Sequence, residues 1–141
     1  MNDIQLMEFF ISTSDAVERR LDRGLAFLRG ISYREYRLLK CIEDSPQRKM
    51  TRVDLAAAVG LTPSAVTRAL KPLEKLGYVT TEKGVRDARQ NLAVLTAGGE
   101  SLLDDTTRAV ADIIEQLPLS DWSSKQKREL LELLSALRGQ P

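Results

Sequence analysis

The chain contains no histidine. Imidazole is the usual general base near neutral pH and the commonest metal ligand, so its absence excludes a His-based triad, a His acid–base pair and a His metal site. Neither a G-x-S-x-G elbow nor a phosphate-cradling P-loop occurs. Glu100 with Asp104 and Asp105 forms a carboxylate cluster, but solvated helix faces produce such clusters routinely. The expectation is a non-enzyme that needs no metal and no cofactor. A single cysteine, Cys41, excludes an intramolecular disulfide and fits a reducing cytoplasm. No apolar run reaches membrane-spanning length. The opening MNDIQLMEFF lacks a basic n-region and a cleavage-like site, so no signal peptide and no membrane association are expected.

What is present is an uneven distribution of charge. With 141 residues, 43% apolar and 29% charged, the chain is expected to form one domain with a real core. Its formal net charge of +1 conceals a partition. Residues 1–45 carry seven Lys and Arg against eight Asp and Glu, and residues 100–141 carry five against eight. Residues 46–90 carry nine against four, a net of +5 confined to the middle of the chain. Basic charge gathered in this way is the electrostatic footprint of a polyanion partner.

The basic segment is organised around Arg52 to Thr96. VDLAAAV, from Val53 to Val59, reads as a short helix, with Thr51 and Asp54 at the spacing of an N-terminal cap. Gly60-Leu61-Thr62 reads as a turn, with Gly60 suited to a left-handed backbone. Thr62 is placed to cap a second helix whose first residue, Pro63, loses nothing by lacking an N–H there. Small Ala56 marks a close helix crossing, and Leu55, Leu61, Val66 and Ala69 face inward, which is a helix-turn-helix pattern. At about 100° per residue, Val66, Ala69, Leu70 and Leu73 share one side of the second helix. Ser64, Arg68, Lys71 and Lys75 fall opposite, with Thr67 on the flank. On an arbitrary helix such a cationic stripe is ordinarily a solvated face. On the second helix of a helix-turn-helix, short hydrogen-bonding side chains followed by an arginine are the layout of a major-groove reader. Thr62, Pro63, Ser64, Thr67, Arg68 and Lys71 are therefore candidate DNA contacts. Pro72 removes the hydrogen bond to the Arg68 carbonyl and should bend this helix or tighten its end, at about 3 kcal/mol in an ordinary interior.

Gly77 ends the second helix, and two strand-like runs follow, Tyr78 to Thr81 and Leu92 to Thr96. Between them lies the polar, basic EKGVRDARQN. Two strands with a basic tip after a reading helix make a wing. With SAVTRALKPLEKLGYV, then Asp87-Ala88-Arg89, then LTAGG from Leu95 to Gly99, the chain resembles the MarR-type (multiple-antibiotic-resistance regulator) transcription factors. The D-x-R followed by L-T-x-x-G is the specific part of that resemblance; the helix-turn-helix alone is not. The resemblance implies that Arg89 enters a minor groove while Asp87 holds the wing tip and the arginine in position. Arg86 joins them as a candidate contact.

The flanks complete the expected architecture. Phe10, Val17, Leu21 and Leu28 recur at heptad-like spacing in an N-terminal helix, with Ile4, Met7, Ile11 and Leu25 widening the stripe; Gly24 is a weak point inside it and Gly30 ends it. Ser32 to about Ser45 forms the next helix, with Ser32 and Glu35 at capping-box spacing and Leu38, Leu39 and Ile42 inward. Lys49-Met50-Thr51-Arg52 suits a short strand completing a three-stranded wing sheet. Thr96 caps a helix from about Ala97 to Leu117, its first turn weakened by Gly98 and Gly99, with Leu103, Val110, Ile113 and Leu117 as its stripe; Pro118 stops it. Ser120 or Ser123 caps a last helix in which Leu130, Leu131, Leu133, Leu134 and Leu137 cover much of the girth. That is more apolar surface than one small domain can bury. The reading is a mainly α fold with a small β wing: a winged helix-turn-helix region at 31–96 and dimerisation helices at 1–30 and 97–141, in one domain. Trp122 suits either an anchor at the dimer junction or a plug from surface to core.

The resemblance implies a homodimeric, cytoplasmic DNA-binding transcriptional regulator on a pseudo-palindromic double-stranded operator, a repressor relieved by a small-molecule effector. In the family, phenolic or other small apolar anions bind between the dimer helices and the winged region; Tyr33, Tyr36 and Arg37 could line such a site, and a packed tyrosine pair explains them equally well. Some relatives sense oxidants through a first-helix cysteine, where this chain has none. Cys41 reads instead as a small buried hydrophobe. The alternative is a winged-helix module for protein contact. It predicts an apolar or acidic outer face and a wing without arginines, against Ser64, Arg68, Lys71, Arg86 and Arg89.

Overall fold

The computed structural model describes residues 1–28 and 30–139. Its elements are α1 (Asp3–Leu28), α2 (Tyr33–Asp44), β1 (Lys49–Thr51), α3 (Arg52–Val59), α4 (Pro63–Lys75), β2 (Val79–Lys83), β3 (Asn91–Leu95), α5 (Ala97–Glu115) and α6 (Ser124–Arg138). Short 3-10 turns at Pro46–Arg48 and Pro118–Asp121 precede β1 and α6. The expected boundary at 30 and the C-terminal segment to 141 include Arg29, Gln140 and Pro141, which lie outside the described residues. The three strands form an antiparallel sheet in the order β1-β3-β2, with Met50 opposite Ala93 and Thr81 opposite Ala93 from the other side.

The helix starts follow local chemistry. Ser32 and Glu35 make a full capping box at α2, and Ser123 with Gln126 makes another at α6. Ser123, not Ser120, is thus the cap; Ser120 sits in the preceding 3-10 turn. Thr51, Thr62 and Thr96 each accept a hydrogen bond from the backbone N–H three residues on, opening α3, α4 and α5. The core gathers Leu25, Leu38, Leu39, Ile42, Leu55, Val66, Leu70, Leu73 and Leu103 with no exposed surface. It lies where α2, α3, α4 and the sheet meet the first half of α5 and the last turns of α1.

Two glycines that look like weak points in the sequence are required by packing. At Gly99 a Cβ would collide with the Tyr78 carbonyl oxygen and with Leu95 Cδ1. Thr96 explains that proximity: it donates from Oγ1 to the Gly77 carbonyl at 2.6 Å while accepting from Gly99 N at 3.0 Å. The L-T-A-G-G run is therefore a clamp that docks α5 against the end of α4. At Gly24 a Cβ would lie 2.5 Å from Ile113 Cδ1, so α1 crosses α5 there. Helix α5 stops at Glu115, slightly before its expected end, and Trp122 is exposed outside the core, which removes the plug reading.

Candidate nucleic-acid interface

Helix α4 runs through Pro72 for one more turn and then closes. Gly77 N donates to Glu74 O at 3.0 Å and Tyr78 N to Leu73 O at 2.9 Å, around a left-handed Gly77 with φ of 81°. This 5→2 and 6→1 pair is the Schellman arrangement, which satisfies the last carbonyls and turns the chain into β2. Pro72 therefore tightens the end of the helix, downstream of Ser64, Thr67 and Arg68. At the other end, Gly60 takes a φ of 69° and Leu61 N donates to Ala56 O at 2.9 Å, giving the sharp turn between α3 and α4.

The inward face of α4 is Val66, Leu70 and Leu73, all fully buried, with Ala69 half-buried. This fixes the rotation of the helix, because burying leucine and valine outweighs any preference among exposed positions. Thr62, Pro63, Ser64, Arg68, Lys71 and Lys75 are consequently exposed on one outer surface, and Thr67 is half-buried at its edge. The Thr67 hydroxyl donates to Pro63 O at 3.1 Å, so its proton is engaged and its oxygen is left as an acceptor.

The wing tip spans Gly84 to Gln90. Gly84 N donates to Gln90 O at 2.9 Å, and Gln90 N to Asp87 O at 3.0 Å. Asp87 Oδ1 accepts from Arg89 N at 3.0 Å and from Arg89 Nε at 3.2 Å. A Cβ on Gly84 would lie 2.5 Å from Asp87 O, so a glycine is needed for the loop to fold back on itself. The carboxylate thus holds the turn and aims a guanidinium that remains 93% exposed. Arg86 and Val85 are exposed beside it. All nine sequence-derived candidates fall on two features, the outer face of α4 and the wing tip.

The structure also divides the basic segment in a way the composition conceals. Arg48 pairs with Glu100, Lys49 Nζ with Glu82 at 2.8 Å and Arg52 with Glu74 at 3.2 Å. These three cations tie β1 and the start of α3 to α5, β2 and α4. Arg68, Lys71, Lys75, Lys83 and Arg86 have no acidic partner among the described residues, and Arg89 pairs only with its neighbour Asp87. Structural cations therefore cluster at β1, and free ones on α4 and the wing. Sequence reasoning placed Arg48, Lys49 and Arg52 in the same net charge; only their tertiary partners separate them.

Away from this face, Tyr33 and Tyr36 lie with ring centroids 5.7 Å apart on the buried side of α2, and Tyr33 N donates to Asp22 Oδ1 of α1 at 2.6 Å. Burial pushes the Tyr33 phenol above its usual range. It also pushes the half-buried Cys41 thiol up, which disfavours the nucleophilic thiolate. Arg37, the third proposed liner, is exposed.

Comparison with known proteins bears on this geometry. The MarR family model matches residues 31–90, from α2 to the end of the wing. Among curated proteins, the uncharacterised HTH-type transcriptional regulator YdgJ of Bacillus subtilis is 28% identical over 110 residues, covering 78% of this chain and 65% of that one. An HTH-type transcriptional repressor of Mycobacterium tuberculosis is 29% identical over 108 residues, covering 77% of this chain and 76% of its own. Among solved structures, a MarR family transcriptional regulator from Streptomyces coelicolor, in complex with DNA, superposes with a TM-score of 0.89 at 28% identity, over 99% of this chain and 89% of that one. The regulator BldR from Sulfolobus solfataricus superposes at 0.85 with 26% identity, over 97% of each chain.

Proposed function

We propose that the chain is a MarR-family protein: a homodimeric, sequence-specific double-stranded DNA-binding transcriptional regulator, a repressor relieved by a small-molecule effector in the cytoplasm. The observation that carries the reading is the placement of the cations within the basic segment 46–90: those without an acidic partner lie on the exposed face of α4 and on the wing, flanking each other as a major-groove and a minor-groove element would. In this reading Ser64, Thr67 and Arg68 face base edges, and Thr62, Pro63 and Lys71 lie along the phosphates. Arg86 and Arg89 enter the flanking minor groove, with Asp87 orienting Arg89.

Dimerisation is supported by the terminal helices. Helix α6 buries no residue within one chain, and α1 buries only Leu21 and Leu25. Leu6, Met7 and Phe10 of α1 with Leu133, Leu134 and Leu137 of α6 line an open apolar groove of about 540 Å³. A second copy related by a twofold axis covers this face and places two reading helices in successive major grooves, with half-sites about 10 bp apart. No helix among the described residues is long and apolar enough to cross a membrane. Known relatives are transcriptional regulators rather than enzymes.

The test is selection of genomic fragments by the full chain, followed by titration of the selected fragment and of a random duplex. The expected result is a near-palindromic site bound about 10³-fold or more tightly than random DNA at physiological salt. Equal affinity for both, or no binding to either, removes the proposal and leaves the protein-contact alternative.

A further inference from the structure

We propose that Arg52, Glu74 and Thr81 form a positioning network that sets the angle between the reading helix and the wing, so that both grooves are met by one rigid body. The inference rests on the DNA-binding reading above. Arg52 opens α3, Glu74 lies in the last turn of α4 and Thr81 is the central residue of β2. Arg52 Nη2 donates to Glu74 Oε1 at 3.2 Å and to Thr81 Oγ1 at 3.0 Å, and Thr81 Oγ1 donates to the same Glu74 oxygen at 2.9 Å. Each member is bonded to both others. No one of the three elements can slide without losing two bonds.

The triangle joins the two elements that carry the exposed cations. On one side is α4 with Arg68, Lys71 and Lys75; on the other, β2 leads through Lys83 into the loop with Arg86 and Arg89. Arg52 also lines a cleft of about 440 Å³ together with Arg89, Gln90 and Asn91, so it reaches the base of the wing. Stability alone does not account for the arginine. Its side chain is only 17% exposed, and Nη1 is buried without a hydrogen-bond partner. A buried donor left unpaired subtracts from stability, and buried ion pairs are as often neutral as stabilising against apolar replacements. What an apolar side chain cannot supply is a nitrogen, here Nη2, whose two N–H groups fix acceptors from two different elements at once.

The decisive variant is Arg52→Met with Glu74→Gln. It removes both charges together, keeps the net charge and touches no cation on the reading face. Its thermal midpoint should stay within a few degrees of the parent or rise. Affinity for random duplex, and its salt dependence, should be unchanged, because no phosphate-facing charge is lost. Affinity for the selected fragment should fall about tenfold, since the two elements no longer meet their grooves in a fixed relation. A cycle of Arg68→Ala and Arg89→Ala on that fragment should be non-additive in the parent and additive in the variant. Thr81→Val, at an exposed position, tests the same triangle with little risk to folding and should move the fragment affinity about threefold in the same direction. Unchanged fragment affinity in both variants overturns the inference. So does an equal loss on fragment and random DNA accompanied by a lowered midpoint, which assigns the network to stability alone. A parent protein that selects no DNA fails earlier, at the proposed function itself.

Discussion

In the winged region Leu38, Leu39, Ile42, Leu55, Val66, Leu70 and Leu73 keep no exposed surface, whereas in α6 no residue is buried and Leu131, Leu133 and Leu137 keep 65%, 69% and 51% of theirs. The two regions have similar apolar content and opposite outcomes. In the first, helices and strands meet at angles and close a core within the chain, leaving Val53, Leu76 and Val85 as its exposed large apolar side chains. In the second, a fifteen-residue helix lines an open groove with the start of α1 and buries none of its own residues. Fully burying a leucine is worth about 1.5–3 kcal/mol. The terminal helices therefore hold an unused driving force for association over a continuous apolar face, whereas the exposed apolar side chains of the winged region are scattered singly. The polar surface shows the inverse: α4 and the wing keep cations without partners, while β1 and the start of α3 have theirs neutralised. Each region is incomplete in one respect, and in each case the missing partner differs in kind.

The strongest way to break this comparison is Leu134→Asp with Leu137→Asp, which puts charge into the apolar groove between α1 and α6. Sedimentation should show the parent as one species of twice the chain mass and the variant as monomer or aggregate. Affinity for the two-half-site operator should fall by about 10²–10⁴, the avidity contributed by a linked second half. A parent that is a well-folded monomer at low micromolar concentration would contradict the assignment of these helices.

The next effect concerns the joint between the regions. Gly99→Ala sets a methyl against the Tyr78 carbonyl, a backbone obstacle that cannot rotate away, and should cost about 3 kcal/mol in urea unfolding. Gly24→Ala meets the end of the Ile113 side chain, which can shift, and should cost about 1 kcal/mol. Equal costs would show that the α5 clamp is no tighter than the α1 crossing.

Within the reading face, Arg68→Ala should weaken the specific site by about 1–3 kcal/mol and random DNA far less, as expected for a base-edge contact. Arg89→Ala should weaken both and flatten the salt dependence by about one charge, because it removes mainly phosphate-field attraction. Asp87→Ala deletes a negative charge yet should follow Arg89→Ala, since its oxygen holds both the backbone and the guanidinium of Arg89. If Asp87→Ala tightens binding instead, the wing loop is only a solvated turn.

The smallest effect is expected at Cys41. Burial holds its thiol above the ordinary range, so at neutral pH less thiolate is present than for a free cysteine, and alkylation should accelerate only at higher pH than in the unfolded chain. Cys41→Ala should leave DNA affinity within about twofold, given how little a surface-distal small-for-small change does to a remote face. Release of DNA by a mild oxidant that depends on Cys41 would overturn this.

Most of the local structure was legible in the residues. Ser32, Thr51, Thr62, Thr96 and Ser123 each cap the helix that their spacing announced, because a cap is a bond between residues three apart. The inner and outer faces of α4 followed from its period, and the wing followed from two β-branched runs around a polar loop. Less legible were Gly24 and Gly99, which read as helix weak points until the elements they touch were in place. The pairing of Arg48, Lys49 and Arg52 was illegible for the same reason, since Glu100, Glu82 and Glu74 lie far along the chain.

By itself, then, the sequence determined the elements, their caps, the face of α4 that points outward and the excess of cations in the middle of the chain. All of these rest on interactions within a turn or two of helix, or on the alternation along a strand. The tertiary structure decided which cations are spent on internal ion pairs, which glycines are contact points, and that Arg52 joins three elements through one guanidinium. Those are matters of distance between residues remote in sequence, and no local rule carries that information until burial of the shared core has fixed the elements against one another.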